Sequence, residues 1–247
     1  MPRRSLRPPA YRLPALTPRQ QLGAGQLGRR LPQLYVGLFL YGWSMAMMIQ
    51  ADLGLDPWDV LHQGLTHWLP YSFGTVTIIV GAIVLLLWIP LRQWPGLGTV
   101  SNVFVIGFSA DFGLRMLPAD LPLGVRIGLL LAGVVLNGLA GAIYLGTHFG
   151  AGPRDGLMTG LARRTGASLR LLRTGIEVTV LVIGFFLGGT VGVGTVAYAL
   201  SIGPLVQLFL PKVAVRLSAA ANADTMSPWP PEPTPSDAAP AIERSSP

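Results

Sequence analysis

Six apolar runs constrain the fold of this chain more than any other feature of its sequence. Each run is close to the roughly 20 residues that an α-helix needs to cross the hydrocarbon core of a bilayer. Because only helices and closed barrels satisfy their backbone in lipid, we interpret all six as membrane-spanning helices. They occupy about residues 31 to 50, 73 to 91, 97 to 117, 125 to 147, 169 to 188 and 191 to 210. The sequence therefore predicts an all-α polytopic membrane protein.

The composition also favours a protein that is embedded in the lipid bilayer. Hydrophobic residues make up 51% of the chain and charged residues only 12%, whereas charged residues form about a quarter of a soluble domain. The absence of cysteine excludes disulfides and thiolate sites, and three scattered histidines give no metal-ligand spacing. We expect no metal and no cofactor. The basic residues do not follow one face, so we expect no nucleic acid partner.

Basic residues indicate on which side of the membrane each loop lies. Cytoplasmic loops retain an excess of Lys and Arg. With the N-terminus inside, only Arg115 and Arg126 fall on the outer side, and the loop from 51 to 72 has three aspartates and no Lys or Arg. We therefore predict a bacterial cytoplasmic (inner) membrane protein with both termini in the cytoplasm.

Changes in composition divide the chain into five predicted segments. Polar and Pro-rich ends do not bury enough apolar surface to fold. The segments are a disordered basic cytoplasmic N-terminus (1–30), a first three-span repeat (31–117), an external linker (118–124), a second three-span repeat (125–212) and a disordered Pro/Ala-rich cytoplasmic tail (213–247).

The two three-span segments are copies of one unit. An offset of 96 residues, without a gap, aligns residues 34–114 with 130–210. Such conserved spacing indicates an internal repeat rather than shared composition. Three spans is an odd number, so the second unit enters from the opposite side, as in many secondary transporters with inverted repeats. The matched residues of the predicted structural motif are Gly54 with Gly150, Pro57 with Pro153, Gly64 with Gly160, Gly96 with Gly192, Gly98 with Gly194, and Thr99 with Thr195.

A polar segment follows the first span of each unit, at residues 54–65 and 150–161. Proline after Asp56 or Gly152 predicts the start of a short helix. Asp59 and Asp155 then fall at the third helical position, where two interpretations stay open. Each carboxylate caps its own helix, or each half-helix dips into the bilayer and presents its carboxylate to a shared cavity.

Candidate substrate- or ion-binding residues are the charged and aromatic groups at membrane depth. They are Asp56, Trp58, Asp59, Asp111, Arg154, Asp155 and Glu177. Asp111 and Glu177 have a simpler interpretation, because Arg115 and Arg173 lie four residues away and suit ion pairs on one helix face. The histidines of the outer loop, His62 and His67, are expected to be solvated.

Three stretches resemble the YczE/YitT group of bacterial integral membrane proteins. They are Gly-Leu-Asp-Pro-Trp-Asp-Val-Leu-His-Gln-Gly-Leu (54–65), the turn at 89–93 with Gly-Leu-Gly-Thr (96–99), and Gly-Ala-Gly-Pro-Arg-Asp-Gly-Leu (150–157). The resemblance covers about residues 31–215. It implies little about activity, since some members are linked only indirectly to secondary-metabolite production. The ligand-binding-like domain of some YitT relatives has no counterpart here, which makes a sensor role less expected.

Two functions stay open, and neither is enzymatic. The repeat and its paired half-helices favour a transporter or permease for an unknown small solute. The alternative is an accessory or scaffold protein that supports another system, such as secondary-metabolite production or export. It would contact a membrane partner or a second copy through small-residue faces such as Gly133/Gly138 and Gly184/Gly188. An enzyme is not expected, because no histidine in a span offers a base to Ser109 or Ser201.

Overall fold

A computed structural model describes residues 16–217, so residues 1–15 and 218–247 of the predicted disordered ends lie outside this range. Residues 213–217 were also predicted to be disordered, but they include the last residue of a helix and the buried side chains of Val215 and Leu217. The described residues form nine helices and no strand. In chain order they are α1 Pro18–Gly23, α2 Leu27–Ala51, α3 Pro57–Thr66, α4 Phe73–Trp88, α5 Leu97–Met116, α6 Leu123–Leu145, α7 Pro153–Thr165, α8 Leu169–Phe186 and α9 Val193–Val213.

The segment just before the first long helix is ordered, whereas we predicted disorder up to residue 30. The Thr17 side chain accepts a hydrogen bond from Gln20 N, and Gln20 Oε1 accepts one from Thr17 N, so a capping box starts α1. α2 then begins at Leu27. The basic composition suggested a solvated segment. Arg30 is instead fully buried and donates to backbone carbonyl groups.

Among the described helices, α2, α5, α6 and α9 are long and apolar enough to cross a membrane. The predicted all-helical membrane architecture is confirmed to this extent. α4 is apolar but has only 16 residues, about 24 Å of helix. α8 has 18 residues and carries Arg170, Arg173 and Glu177. Length and composition alone therefore identify four spans rather than the predicted six.

The order of helices repeats along the chain. The starts of α2, α3, α4 and α5 each lie 96 residues before the starts of α6, α7, α8 and α9. The loops before the short helices share a backbone conformation, since φ is 113° at Gly54 and 109° at Gly150. We call α2–α5 the first unit and α6–α9 the second unit.

α2 and α6 pack against each other in opposite directions. Gln33 Nε2, near the start of α2, donates to Ile143 O, near the end of α6, at 3.0 Å. Further along α2, Ser44 Oγ accepts from Asn137 Nδ2 of α6 at 2.9 Å. A Cβ on Gly37 would lie 2.8 Å from Tyr144 N, so only glycine permits this close approach.

Inside the first unit, α2 runs parallel to α5. Ser109 Oγ of α5 donates to Phe39 O of α2. Toward the ends of both helices, Gln50 Nε2 of α2 donates to Leu117 O, just after α5, at 3.1 Å. The main apolar core surrounds α2 and contains side chains of both units, among them Leu38, Met48 and Val134.

A loop of each unit contacts the last helix of the other unit. Gly194 N, at the start of α9, donates to Leu53 O of the first unit at 2.7 Å. In the reciprocal contact, Gly98 N at the start of α5 donates to Phe149 O of the second unit at 2.9 Å. Matched residues thus contact each other in both directions, which is the pattern of a twofold relation. The repeated Gly-x-Gly-Thr motif is the surface that receives these loops.

The threonines of this motif, Thr99 and Thr195, start the last helix of each unit. Thr99 Oγ1 accepts from Gly96 N at 3.3 Å, and Thr195 Oγ1 accepts from Gly192 N at 3.2 Å. Each hydroxyl also faces the loop of the other unit. A Cβ on Gly150 would lie 2.8 Å from Thr99 Oγ1, and a Cβ on Gly54 would lie 2.8 Å from Thr195 Oγ1.

Thr99 and Thr195 differ in one contact with the loop that they receive. Thr99 Oγ1 donates to Ala151 O of the second unit at 2.7 Å. Within residues 16–217, Thr195 Oγ1 makes no matching bond to Leu55 O, although Leu55 N donates to Thr190 O at 3.3 Å. The two loops are thus held by different hydrogen bonds, and at this point the match between Thr99 and Thr195 is incomplete.

Candidate functional site

The N-terminal ends of α3 and α7 lie at one cavity of about 490 Å³. Asp56 and Trp58 line it from the start of α3, and Arg154 and Asp155 from the start of α7. The opposite ends of the short helices face outward, since Trp68 after α3 is 72% exposed. Both helix N-termini, with their partial positive charge, are therefore directed toward the same space.

Every helix from α2 to α9 contributes to the cavity wall. Hydroxyl and amide groups form much of its polar lining, from Tyr41, Thr77, Asn102, Asn137, Tyr144, Tyr198 and Gln207. Tyr198 Oη donates to Asn137 Oδ1 at 3.0 Å, and Asn137 in turn donates to Ser44. This chain of hydrogen bonds joins α9, α6 and α2 across the molecule.

Asp56 caps α3, and Asp59 does not. Asp56 Oδ1 accepts from Trp58 N at 2.8 Å and from Asp59 N at 3.1 Å. The Asp59 side chain is fully buried, and its Oδ1 lies 3.2 Å from His62 Nδ1. The cap at this helix start is complete without Asp59, whose carboxyl group faces other side chains.

Arg154 of the second unit bridges the two aspartates of the first. Its Nη1 lies 3.5 Å from Asp56 Oδ1, and its Nη2 lies 3.5 Å from Asp59 Oδ1. The guanidinium carbon lies 5.0 Å from the centre of the Trp58 ring, within the range of a cation–π contact. The ion cluster therefore joins the starts of the two short helices directly.

Of the remaining candidates, two line the cavity and one lies elsewhere. Asp155 is half-buried at the wall. Glu177 pairs with Arg173 at 3.0 Å, as its spacing suggested, and both residues line the cavity. Asp111 instead accepts hydrogen bonds from Ser72 Oγ and from Gly74 N at the start of α4. That helix start, rather than Arg115, is its partner.

Most residues of the predicted structural motif lie outside the cavity lining. Pro57 and Pro153 line the cavity at the first position of α3 and α7. The others support loops and helix contacts behind the wall; they are Gly54, Gly64, Gly96, Gly98, Thr99, Gly150, Gly160, Gly192, Gly194 and Thr195. The motif therefore positions the site rather than forming its surface.

His62 is a site residue that the sequence interpretation missed. It is 2% exposed rather than solvated, it lines the cavity, and its ring contacts Asp59 and Thr77. The available signal was its spacing, because residues three apart on a helix share a face.

Arg30 and Arg126 were also missed, although they occupy matched positions. Arg30 Nε donates to Thr147 O at 2.8 Å, and Arg126 Nε donates to Ala51 O at 2.7 Å. Each arginine thus holds the loop that leads to the short helix of the other unit. The signal lay just outside the aligned range, in the identities Leu27/Leu123, Gly28/Gly124 and Arg30/Arg126.

The small-residue faces that favoured a scaffold are used inside the chain. A Cβ on Gly133 would lie 2.9 Å from Met48, and one on Gly184 would lie 2.5 Å from Leu61 N. Gly133 packs the two units together, and Gly184 packs α8 against α3. These glycines therefore have an internal role.

Comparison with known proteins identifies relatives along most of the chain. A model of a family of unknown function, DUF6198, matches residues 28–211. An uncharacterized protein of Haemophilus influenzae is 38% identical over 181 residues, 73% of this chain and 83% of the relative. The uncharacterized membrane protein YczE of Bacillus subtilis is 32% identical over 180 residues, 72% of this chain and 84% of the relative.

A further relative, the uncharacterized protein YyaS of Bacillus subtilis, is 28% identical over 182 residues, which cover 72% of this chain and 90% of the relative. No solved structure matches the chain significantly. The resemblance noted in the sequence is thus supported for YczE. The chain belongs to DUF6198, a family of unknown function, and is a YczE-type bacterial membrane protein.

Proposed function

We propose that this protein transports a small polar solute across the bacterial inner membrane. One observation carries the proposal: the N-termini of two short helices, one from each unit, face a single polar cavity that all eight long and short helices of the repeat enclose. Transporters with inverted repeats place their substrate at such paired helix ends. The cavity volume, about 490 Å³, lies within the range of small-molecule sites.

The proposed membrane arrangement has six spans, inverted units and cytoplasmic termini. Its support is the antiparallel packing of α2 on α6, since antiparallel spans related by a twofold axis place that axis in the membrane plane. α4 and α8 complete the six. The charges that exclude α8 on composition include Arg173 and Glu177, which line the cavity and need not meet lipid.

Solute uptake by the purified full chain in proteoliposomes tests this function. The probes are isotope-labelled amines, amino acids and small carboxylates, offered separately. We expect saturable uptake of one class, reduced at least about tenfold in Arg154→Gln, because the substitution removes charged contacts of about 1.5–3 kcal/mol each that hold Asp56 and Asp59 in place. Asp120→Asn, at an exposed linker position, is the control that keeps wild-type uptake. Folded protein without saturable uptake of any class would contradict the proposal.

An accessory role is the alternative. It requires a stable partner, so it would be favoured by stoichiometric co-purification of another membrane protein together with unimpaired cellular activity of Arg154→Gln. The internal use of Gly133 and Gly184 removes the feature that first suggested it.

A further inference from the structure

The hydrogen-bond donors that contact Asp56 and Asp59 all face the same oxygen, Oδ1, of each carboxyl group. Asp56 Oδ1 receives two backbone N–H groups and faces Arg154 Nη1. Asp59 Oδ1 faces Arg154 Nη2 and His62 Nδ1. Thr77 Oγ1 gives its hydrogen to Phe73 O, so His62 Nδ1 is the donor toward both Thr77 and Asp59.

The second oxygens of these carboxyl groups have no such donor. Within residues 16–217, Oδ2 of Asp56 and Oδ2 of Asp59 are both buried without a hydrogen-bond partner. Both carboxyl groups lie beside the same guanidinium, Asp56 at 3.5 Å from Arg154 Nη1 and Asp59 at 3.5 Å from Arg154 Nη2. Asp56 is 2% exposed, Asp59 is fully buried, and Asp56 lines the cavity.

Two ionised carboxylates beside one guanidinium in a buried site repel each other strongly. A buried oxygen without a donor is also unfavourable. One proton held by the pair removes the repulsion and turns one of the two buried oxygens into a hydroxyl group. The pair then carries a single negative charge, which Arg154 neutralises.

The other ionisable side chains beside this pair lie on four helices. They are Arg154 from α7, His62 from α3, Tyr41 from α2 and Tyr198 from α9. Asp155 also lines the cavity, and the other two charged side chains there, Arg173 and Glu177, pair with each other. The site therefore has more carboxyl groups than guanidinium groups and has room for a positive charge besides Arg154.

We propose that Asp56 and Asp59 hold one exchangeable proton between them, and that this proton is the coupling ion of transport. The coupling role rests on the proposed transport function, whereas the proton site does not. Because Asp56 lines the cavity, a cationic solute that reaches its carboxylate replaces the proton as the second positive charge. Exchange of the solute for the proton follows from this competition.

Infrared spectroscopy of the full chain in lipid nanodiscs tests the proton site without a known solute. We expect a protonated-carboxyl C=O band near neutral pH that shifts in D₂O and disappears on alkalinisation. Asp56→Asn and Asp59→Asn should each abolish it, since Arg154 then balances the single remaining carboxylate, which stays ionised. Asn is also a good cap, so Asp56→Asn is expected to fold. Asp120→Asn is the control that keeps the band.

Four results would overturn the shared proton: no such band in the wild type, a band that survives in both variants, a band lost in only one variant, or a band that NaCl removes at constant pH, as a bound sodium ion would.

The coupling role has its own test in proteoliposomes. Accumulation of the active solute class should change by up to about tenfold with a pH gradient of one unit, which is the concentration ratio of that gradient for one-to-one exchange. Uptake that does not depend on the pH gradient would refute the coupling role but not the proton site. An infrared band that titrates in a protein without uptake would refute transport but not the proton site.

Discussion

At the scale of single residues, the cavity is asymmetric because the two copies differ at matched positions. The first copy carries Asp56 and Trp58 where the second carries Gly152 and Arg154. The first short helix therefore supplies an extra carboxylate, and the second supplies the cation that bridges to it. The sequence identified these residues as candidates. It did not pair them, because the ion pairs connect residues nearly a hundred positions apart and depend on how the units pack.

The paired arginines show how one side chain holds a loop of the other unit. Arg30→Ala should lower the stability of the purified protein by at least about 2 kcal/mol, because it leaves the carbonyls of Thr147 and Gln21 without their donor in a buried site. The measurement is the midpoint of thermal unfolding in detergent.

Arg29→Ala is the matched control, since Arg29 is the exposed neighbour on the same helix. Its midpoint should stay near that of the wild type, as expected for a surface substitution. Equal midpoints for Arg29→Ala and Arg30→Ala would contradict the role of Arg30 as a loop anchor.

At the scale of helices, the sequence predicted most boundaries. The apolar runs and the Pro-x-Asp segments lie where α2 to α9 occur, because hydrophobic length and N-cap chemistry are local signals. α1 was missed, since six polar-rich residues give no hydrophobic period. The contacts between the loop of one unit and the last helix of the other were not predicted either, although the Gly-x-Gly-Thr repeat that makes them was recognised.

Substitution of the loop glycines tests these contacts between the units. Gly54→Ala and Gly150→Ala should each destabilise the protein by about 1–3 kcal/mol, because a side chain at φ above 100° is strained. At Gly54 the new Cβ would also lie 2.6 Å from Gly192 N and 2.8 Å from Thr195 Oγ1. Thermal unfolding with parallel detection of aggregation measures the loss.

Gly28→Ala and Gly124→Ala provide controls at another matched pair. Both positions are helical and have open space where a Cβ would lie, so alanine should be neutral or stabilise by up to about 1 kcal/mol. If the loop variants unfold at the same temperature as these controls, the loops are not tightly held between the units.

At the scale of the whole molecule, the contacts between the two units are reciprocal. The packing of α2 on α6, the loop contacts and the two anchoring arginines all join corresponding parts of the two units. The offset of 96 residues predicted two copies, and the odd number of spans predicted opposite orientation. Neither pattern specified which surfaces meet, because side-chain packing between the units depends on glycine positions whose partners are distant in sequence.

We propose that the two units lie in the membrane with opposite orientations, and site-directed labelling tests this arrangement directly. The chain has no native cysteine, so Trp68→Cys and Thr165→Cys each introduce one thiol at an exposed position near the end of a short helix. In intact spheroplasts, a membrane-impermeant maleimide should label Trp68→Cys and should label Thr165→Cys only after permeabilisation. Labelling of both positions from the same side would contradict the inverted arrangement and, with it, the shared site of the two short helices.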